Sequence, residues 1–311
     1  MGTTLRVEVA APDRRAALAA IQQAFDTVAQ LESVLSTWRE DSEIGRLNRA
    51  VPGEPVTLSA TLSLLLAEAS HWSRETDGAF DPGVGALVDA WDLRGRGREP
   101  RGSALMEARA ATGIAQFTLG GSSGVAPRAT RRSAAAWLDT GGFGKGAALR
   151  GAVALLRRKG IVSGSLNFGG QVAVFGTGPD APGWLVPVAH PERRETPVAT
   201  LRVRDVSVST SGQSEHYVDV RGRRFGHILD PRSGRPVPPW GSVTVVAADA
   251  AAADILSTAL FVLGPEEGAA WARRHGVAAL MLIRRGERLE FRSTPALRPL
   301  LVPTSPLSSG G

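Results

Sequence analysis

Between residues 161 and 229 the chain runs IVSGSL (161–166), VAVFG (172–176), WLVPVA (184–189), VATLRVR (198–204), VSVST (206–210), EHYVDV (215–220) and RRFGHIL (223–229). Each is a short run rich in Val, Leu or Phe and bounded by Gly, Pro or polar residues, the pattern of a β-strand. Arg221-Gly222 predicts a hairpin turn between the last two. The runs follow one another without alternating helices, which favours an α+β fold over a doubly wound parallel sheet.

Working outward, residues 3–10 alternate, with Leu5, Val7 and Val9 on one face of a strand. Residues 13–36 predict an amphipathic helix, because Leu18, Ile21, Phe25, Val28, Leu31 and Leu35 recur at spacings of three and four. Residues 36–50 read as polar and irregular. A helix follows over 59–75, with Ser59 as N-cap and Gly78 just beyond its end. Residues 78–93 mix Gly, Pro and aromatics, the Arg/Gly-rich stretch 94–102 reads as an exposed loop, and 105–113 suits a short helix. Short strands around a Gly/Ser turn are expected over 117–138, and a helix from near Gly144 to just before Gly160. C-terminal to the strand-rich region come a strand (242–248), two helices (250–263 and 266–275) and a closing hairpin (277–283 with 288–292). Residues 303–311, rich in Pro, Ser and Gly, are expected to form a mobile tail. No internal repeat or clean linker divides the rest, so 1–302 reads as one unit.

The 311 residues suffice for a substantial core, and a 43% hydrophobic, 21% charged composition argues against disorder. With no cysteine, disulfides, thiolate metal sites and a Cys nucleophile are excluded. The net charge is +6, but 34 of the 36 basic residues are arginine and they are scattered. Such charge is a weak argument for nucleic-acid binding, which is not expected. No apolar run approaches the ~20 residues that span a bilayer, so no transmembrane segment is expected. The opening residues lack the basic start and apolar stretch of a signal peptide, so a cytoplasmic location is expected; a trimmed leader would make it periplasmic or membrane-associated.

Three segments could carry chemistry. Leu138-Asp139-Thr140-Gly141-Gly142-Phe143-Gly144-Lys145-Gly146 leads into a helix, and glycines at a helix start offer N–H groups to anions. Lys145 is one of only two lysines, which hints that an ammonium is wanted there. The Walker pattern is absent, since Gly146 follows the lysine, and a tight turn with a surface lysine explains the segment equally well. In Ala253-Asp254-Ile255-Leu256-Ser257-Thr258-Ala259, Asp254 and Thr258 project from one helix face and offer the hard oxygens that suit Mg²⁺. A capping Asp and a Thr bonded to its own helix would look the same. In Gly226-His227-Ile228-Leu229-Asp230-Pro231, His227 is placed to act as a general base or to serve as a structural histidine. Two weaker segments place Trp38 among polar residues, where it could stack on a ring, and put Phe80 and Asp81 on a rigid Gly/Pro turn.

Taken in order, these segments resemble the ApbE family of FAD:protein FMN transferases. The likeness is carried by Met1-Gly2-Thr3, the Ser36-Thr37-Trp38 segment through Asn48, Ala79-Phe80-Asp81-Pro82, Leu138 to Gly146, Ser165 to Gly170, Ser209-Thr210-Ser211-Gly212, His227 to Gly234, and Ala253 to Thr258. The resemblance implies a compact, T-fold-like α+β unit of mixed, largely antiparallel sheets flanked by helices. It implies an enzyme that takes FAD as substrate with Mg²⁺, cleaves the pyrophosphate, and transfers FMN to a Thr or Ser of an acceptor flavoprotein, releasing AMP. By the same resemblance Met1, Trp38, Ala79, Phe80, Asp81, Asp139, Lys145 and Val243 contact FAD. Asp254 and Thr258 with a backbone oxygen of Gly142 hold the metal, and His227 deprotonates the acceptor hydroxyl. The chain departs from the family pattern at Phe143-Gly144, at Gln171, where an acidic residue is common, and at Gly83. The competing functions are FAD hydrolysis to FMN and AMP, and flavin binding without catalysis.

Overall fold

The computed structural model describes residues 3–121, 126–179, 182–213 and 217–303. Seven α-helices lie along them: α1 (Arg14–Leu35), α2 (Glu43–Arg49), α3 (Ala60–Glu75), α4 (Gly85–Ala90), α5 (Gly102–Ala110), α6 (Gly144–Arg158) and α7 (Ala250–Arg274). The main sheet has seven strands in the order Leu5–Ala10, Ser163–Phe168, Gln171–Phe175, Val206–Gly212, Gly241–Ala247, Ala278–Arg285 and Arg288–Ser293. Every neighbouring pair is antiparallel, so the expected α+β architecture is the one observed.

Burial explains the layering. Ala20, Ala24 and Val28 of α1 meet Ala148, Leu149, Ala152 and Leu156 of α6 over Leu166, Phe168 and Phe175 of the sheet. α7 covers the other half of the sheet, packing Leu256, Leu260 and Phe261 on Val243, Val245 and Met281. The hairpin of Trp184–Ala189 with Pro197–Val203 covers the reverse face through Val186, Val188, Leu201 and Val203. α2 and α3 form a separate apolar layer with Leu138, Phe143 and Ile255. Among the described residues no helix is long and apolar enough to cross a membrane.

Several expectations shift. The buried face of α1 runs through small alanines, so α6 approaches closely, while Leu18 (56% exposed) and Phe25 (38% exposed) lie at its open edge. Residues 36–50 are not irregular: Ser42 caps α2 by accepting the Gly45 N–H at 2.9 Å. α4 was hidden because Gly85 looks like a loop residue; it is glycine because a Cβ would strike the Trp137 ring at 2.2 Å. The two helices expected over 250–275 are both present as the two halves of α7, separated where Gly264 leaves helical geometry with a φ of +81° before Pro265. The run 223–229 is broken at His227 into Arg223–Gly226 and Leu229–Asp230. Arg221 and Gly222 do form the hairpin turn, with φ of +51° and +77°. Residues 304–311 and the Gly/Ser turn 122–125 lie outside the described residues.

Candidate active site

The turn from Leu138 to Lys145 is held from below. The Asn48 side chain pairs with Leu138 like a strand neighbour, donating to its carbonyl at 2.9 Å and accepting its N–H at 2.8 Å. Thr140 Oγ1 donates to the Leu35 carbonyl at 2.8 Å. Asp139 Oδ1 accepts the Gly141 N–H at 2.7 Å, and its Oδ2 accepts from Arg94 Nη2 at 2.7 Å. The N–H groups of Phe143 and Gly144 are taken by the Thr140 carbonyl, and that of Gly146 by Asp254 Oδ2 at 2.9 Å. The helix start therefore has fewer open N–H groups than the sequence suggests, which leaves the Lys145 ammonium as the turn's main offering to an anion.

α7 crosses directly behind this turn. A Cβ on Gly146 would lie 2.3 Å from the Ala250 carbonyl oxygen, so only glycine permits the crossing. The contact brings buried Asp254 against the start of α6, where its Oδ2 accepts the Gly146 N–H. Thr258 stands one turn further along α7, and Gly142 sits so near it that a Cβ there would lie 3.5 Å from Thr258 Oγ1. A carboxylate, a hydroxyl and the peptide of Gly142 thus share one corner. All are hard oxygen donors with a single carboxylate among them, a set that fits Mg²⁺, which keeps several waters. Among the described residues no cluster of three or more His, Cys, Asp or Glu side chains offers an alternative. Behind the corner Ser257 Oγ lies 3.1 Å from Ser209 Oγ and 2.9 Å from Ser211 Oγ, a buried hydroxyl row that keeps the sheet and α7 in register.

His227 occupies the bend between two strands, and Gln213 makes that bend. Its buried amide donates to the carbonyls of Ile228 (2.9 Å) and Val237 (3.0 Å) and accepts the Ile228 N–H at 3.1 Å. The side chain thus satisfies backbone groups of the bend, where the Ile228 carbonyl also accepts the Val237 N–H. Gly226 must lack a side chain, because a Cβ would lie 1.9 Å from Gln213 Oε1.

Phe80 packs edge-on against Phe143, with ring centroids 6.5 Å apart. Asp81 turns inward: Oδ1 accepts the N–H groups of Gly83 and Ile114, both at 2.7 Å, and Oδ2 accepts from Ser73 Oγ at 2.8 Å. Burial pushes its carboxyl above the ordinary carboxylate range, against the pull of those three donors.

These segments meet around one cavity of about 660 Å³, lined by Trp38, Ala79, Phe80, Asp81, Asp139, Gly142, Lys145, His227, Asp254 and Thr258. Ten of the twelve positions singled out in the sequence therefore converge. Met1 lies outside the described residues. Val243 does not reach the cavity: it is 0% exposed, and strand alternation turns it into the core beneath α7. The sequence reading missed Arg94 and Gln213, and it quoted Ser209, Ser211 and Ser257 without the contact that joins them. Arg94 was concealed in an Arg/Gly-rich stretch, yet it lines the cavity beside Trp38.

The ApbE family model matches residues 1–281. Among curated relatives, a protein of Klebsiella pneumoniae (strain 342) named FAD:protein FMN transferase is 30% identical over 308 residues, spanning 97% of this chain and 87% of its own. One of the same name from Treponema pallidum (strain Nichols) is 33% identical over 297 residues, spanning 91% and 82%. Among solved structures, the ApbE protein of Thermotoga maritima superposes with a TM-score of 0.87 at 26% identity, over 96% of each chain. The apo flavinyl transferase ApbE of Pseudomonas stutzeri gives 0.82 at 29% identity, over 96% of this chain and 97% of its own. With this extent of likeness in sequence and in fold, the chain belongs to the ApbE family.

Proposed function

We propose that this chain is a Mg²⁺-dependent FAD:protein FMN transferase that modifies a Thr or Ser of an acceptor flavoprotein. The single observation that carries this reading is the meeting of Lys145, the Asp254–Thr258 edge and His227 on one cavity. Its volume lies within the range of pockets that enclose ligands of about drug size or larger. The relatives' names supply the reaction class, and the residues supply a way to perform it.

The acceptor hydroxyl oxygen attacks the phosphorus on the FMN side of the diphosphate. The bond from that phosphorus to the bridging oxygen breaks, AMP leaves, and FMN remains joined to the acceptor as a phosphodiester. His227 takes the hydroxyl proton, since a neutral alcohol is a poor nucleophile. Lys145 faces the charge that gathers on the departing phosphate. Asp254, Thr258 and the Gly142 carbonyl would hold Mg²⁺, which when bound supplies charge neutralisation to the diphosphate. Trp38 and Phe80 give apolar ring surface for a flat heterocycle.

The test is to incubate the protein with FAD, Mg²⁺ and a flavin-accepting domain, then read in-gel flavin fluorescence, the acceptor's mass and AMP. An FMN-sized mass gain with stoichiometric AMP is expected. AMP without modified acceptor would make the protein a hydrolase, and FAD binding without AMP would make it a binding protein.

A further inference from the structure

The Arg94 guanidinium ties together two segments of the cavity wall, Thr37-Trp38 and Asp139, and lies against Trp137 as well. Its Cζ lies 4.4 Å from the centroid of the Trp38 ring and 4.4 Å from that of Trp137. Its Nη2 donates to Thr37 Oγ1 at 2.6 Å and to Asp139 Oδ2 at 2.7 Å, and its Nη1 to the Thr37 carbonyl at 3.2 Å. Trp137 is fixed in turn, because its Nε1 donates to Asp89 Oδ2 at 2.7 Å. Trp38 is different: the indole is 70% exposed at the cavity wall. A large ring that open has little packing to orient it, and the guanidinium against its face supplies the orientation.

We propose that Arg94 is a positioning residue that sets the affinity for FAD, by holding Trp38 as a stacking platform and Asp139 as the brace of the Gly141-Gly142 turn. The inference rests on FAD being the substrate, as proposed above. One planar group performs both tasks: its face lies on the indoles while its edge donates to Thr37 and Asp139. Only guanidinium combines a flat cationic face with several in-plane donors, so lysine cannot replace it. The Trp38 platform and the Gly141-Gly142 turn are coupled through it. Asp139 accepts from Arg94 on one oxygen and from the Gly141 N–H on the other, so losing Arg94 loosens the turn that precedes Lys145 as well as the ring platform.

The experiment measures FAD affinity directly, by flavin fluorescence in the absence of metal and acceptor, alongside steady-state transfer. Arg94→Ala is expected to raise the FAD Kd and KM about tenfold, with kcat falling by less than KM rises. Millimolar guanidinium is expected to restore affinity to Arg94→Ala, and Arg94→Lys is expected to bind as poorly as the alanine variant. An FAD Kd for Arg94→Ala within about twofold of wild type, or a raised Kd that guanidinium leaves unmoved, overturns the assignment. Should Arg94→Ala fail to fold, Thr37→Val decides: it removes one anchor of the guanidinium, so an unchanged KM for FAD overturns the proposal and a raised one supports it. If wild type itself binds no FAD, the functional reading fails instead.

Discussion

The backbone N–H of Gly146 donates to Asp254 Oδ2 at 2.9 Å, so the start of α6 holds the carboxylate carried by α7. Asp254 is buried, and the N–H it meets at a helix N-terminus is a favourable partner for a carboxylate. The contact also joins the glycine turn to the candidate metal edge, because residues 144–146 begin α6 and Asp254 and Thr258 share a face of α7. Position 146 is consequently a structural glycine at the centre of the chemistry.

Gly146→Ala tests that relationship. Its Cβ would lie 2.3 Å from the Ala250 carbonyl oxygen and 2.7 Å from Ala251 Cα, both backbone atoms that cannot swing aside. The helices must separate, which costs about 1–3 kcal/mol of stability by the usual range for overpacking. Asp254 then loses the Gly146 N–H, and Mn²⁺ affinity, used as a proxy for Mg²⁺, should fall about tenfold or more, as when a group orienting a ligand is removed. Denaturant unfolding and Mn²⁺ titration by EPR measure the two effects. A stable variant with undiminished Mn²⁺ binding would show that the crossing does not position the carboxylate.

Asp254→Asn and Thr258→Val probe the same corner without altering its volume. Asparagine removes the one negative charge of the donor set, and valine removes the hydroxyl. Asp254→Asn should abolish Mg²⁺-dependent AMP release yet leave metal-free FAD binding near wild type, and Thr258→Val should weaken Mn²⁺ binding about tenfold. Retention of full Mg²⁺-dependent turnover by Asp254→Asn would remove the metal assignment.

His227→Ala should lower transfer by about 10²–10⁴-fold while FAD binding persists, the range expected for loss of a general base. Gln213→Met goes further, because it leaves His227 in place but cuts three hydrogen bonds to the bend that carries it. We expect kcat to fall about tenfold or more, with the FAD Kd unchanged. Gly226→Ala should resemble Gln213→Met, since the added methyl displaces the same amide. Single-turnover transfer and FAD titration separate these effects; equal losses in binding and rate would mean that the bend is only a structural support.

How legible all this was depended on whether a residue acts through its own segment or through a distant one. The strand runs after Ile161, the Ser59 cap and the Arg221-Gly222 turn declare themselves locally, because alternation, capping and positive φ are properties of a few adjacent residues. Asp254 and Thr258 were likewise visible as a pair on one helix face. Arg94 was not: its partners Trp38 and Asp139 lie more than 40 residues away in each direction, and its own surroundings read as a solvated loop. Gln213 escaped for the same reason, since a glutamine that holds the backbone of a bend further along the chain has no signature in its own neighbourhood. Val243 erred the other way. The family resemblance implied a flavin contact there, but the register of Gly241–Ala247 against Val206–Gly212 and α7 turns its side chain into the core.

Asp81 gives a prediction in pH. Burial raises its carboxyl above the unfolded value of about 3.8, so the folded protein binds this proton more tightly than the unfolded chain. The sign follows directly: the group favours folding most at low pH, and that contribution is lost as pH rises through its folded pKa. Asparagine at this position can accept the Gly83 and Ile114 N–H groups through its oxygen, while the Ser73 hydroxyl rotates to accept from the amide nitrogen. Asp81→Asn should therefore keep the turn and remove the titration. The difference in Tm between Asp81→Asn and wild type should grow in favour of the variant as pH rises from about 4 toward neutrality, then level off. A Tm difference that is constant over that interval would mean that Asp81 titrates as it does in the unfolded chain, and that burial of its carboxyl is offset by the three hydrogen bonds it accepts.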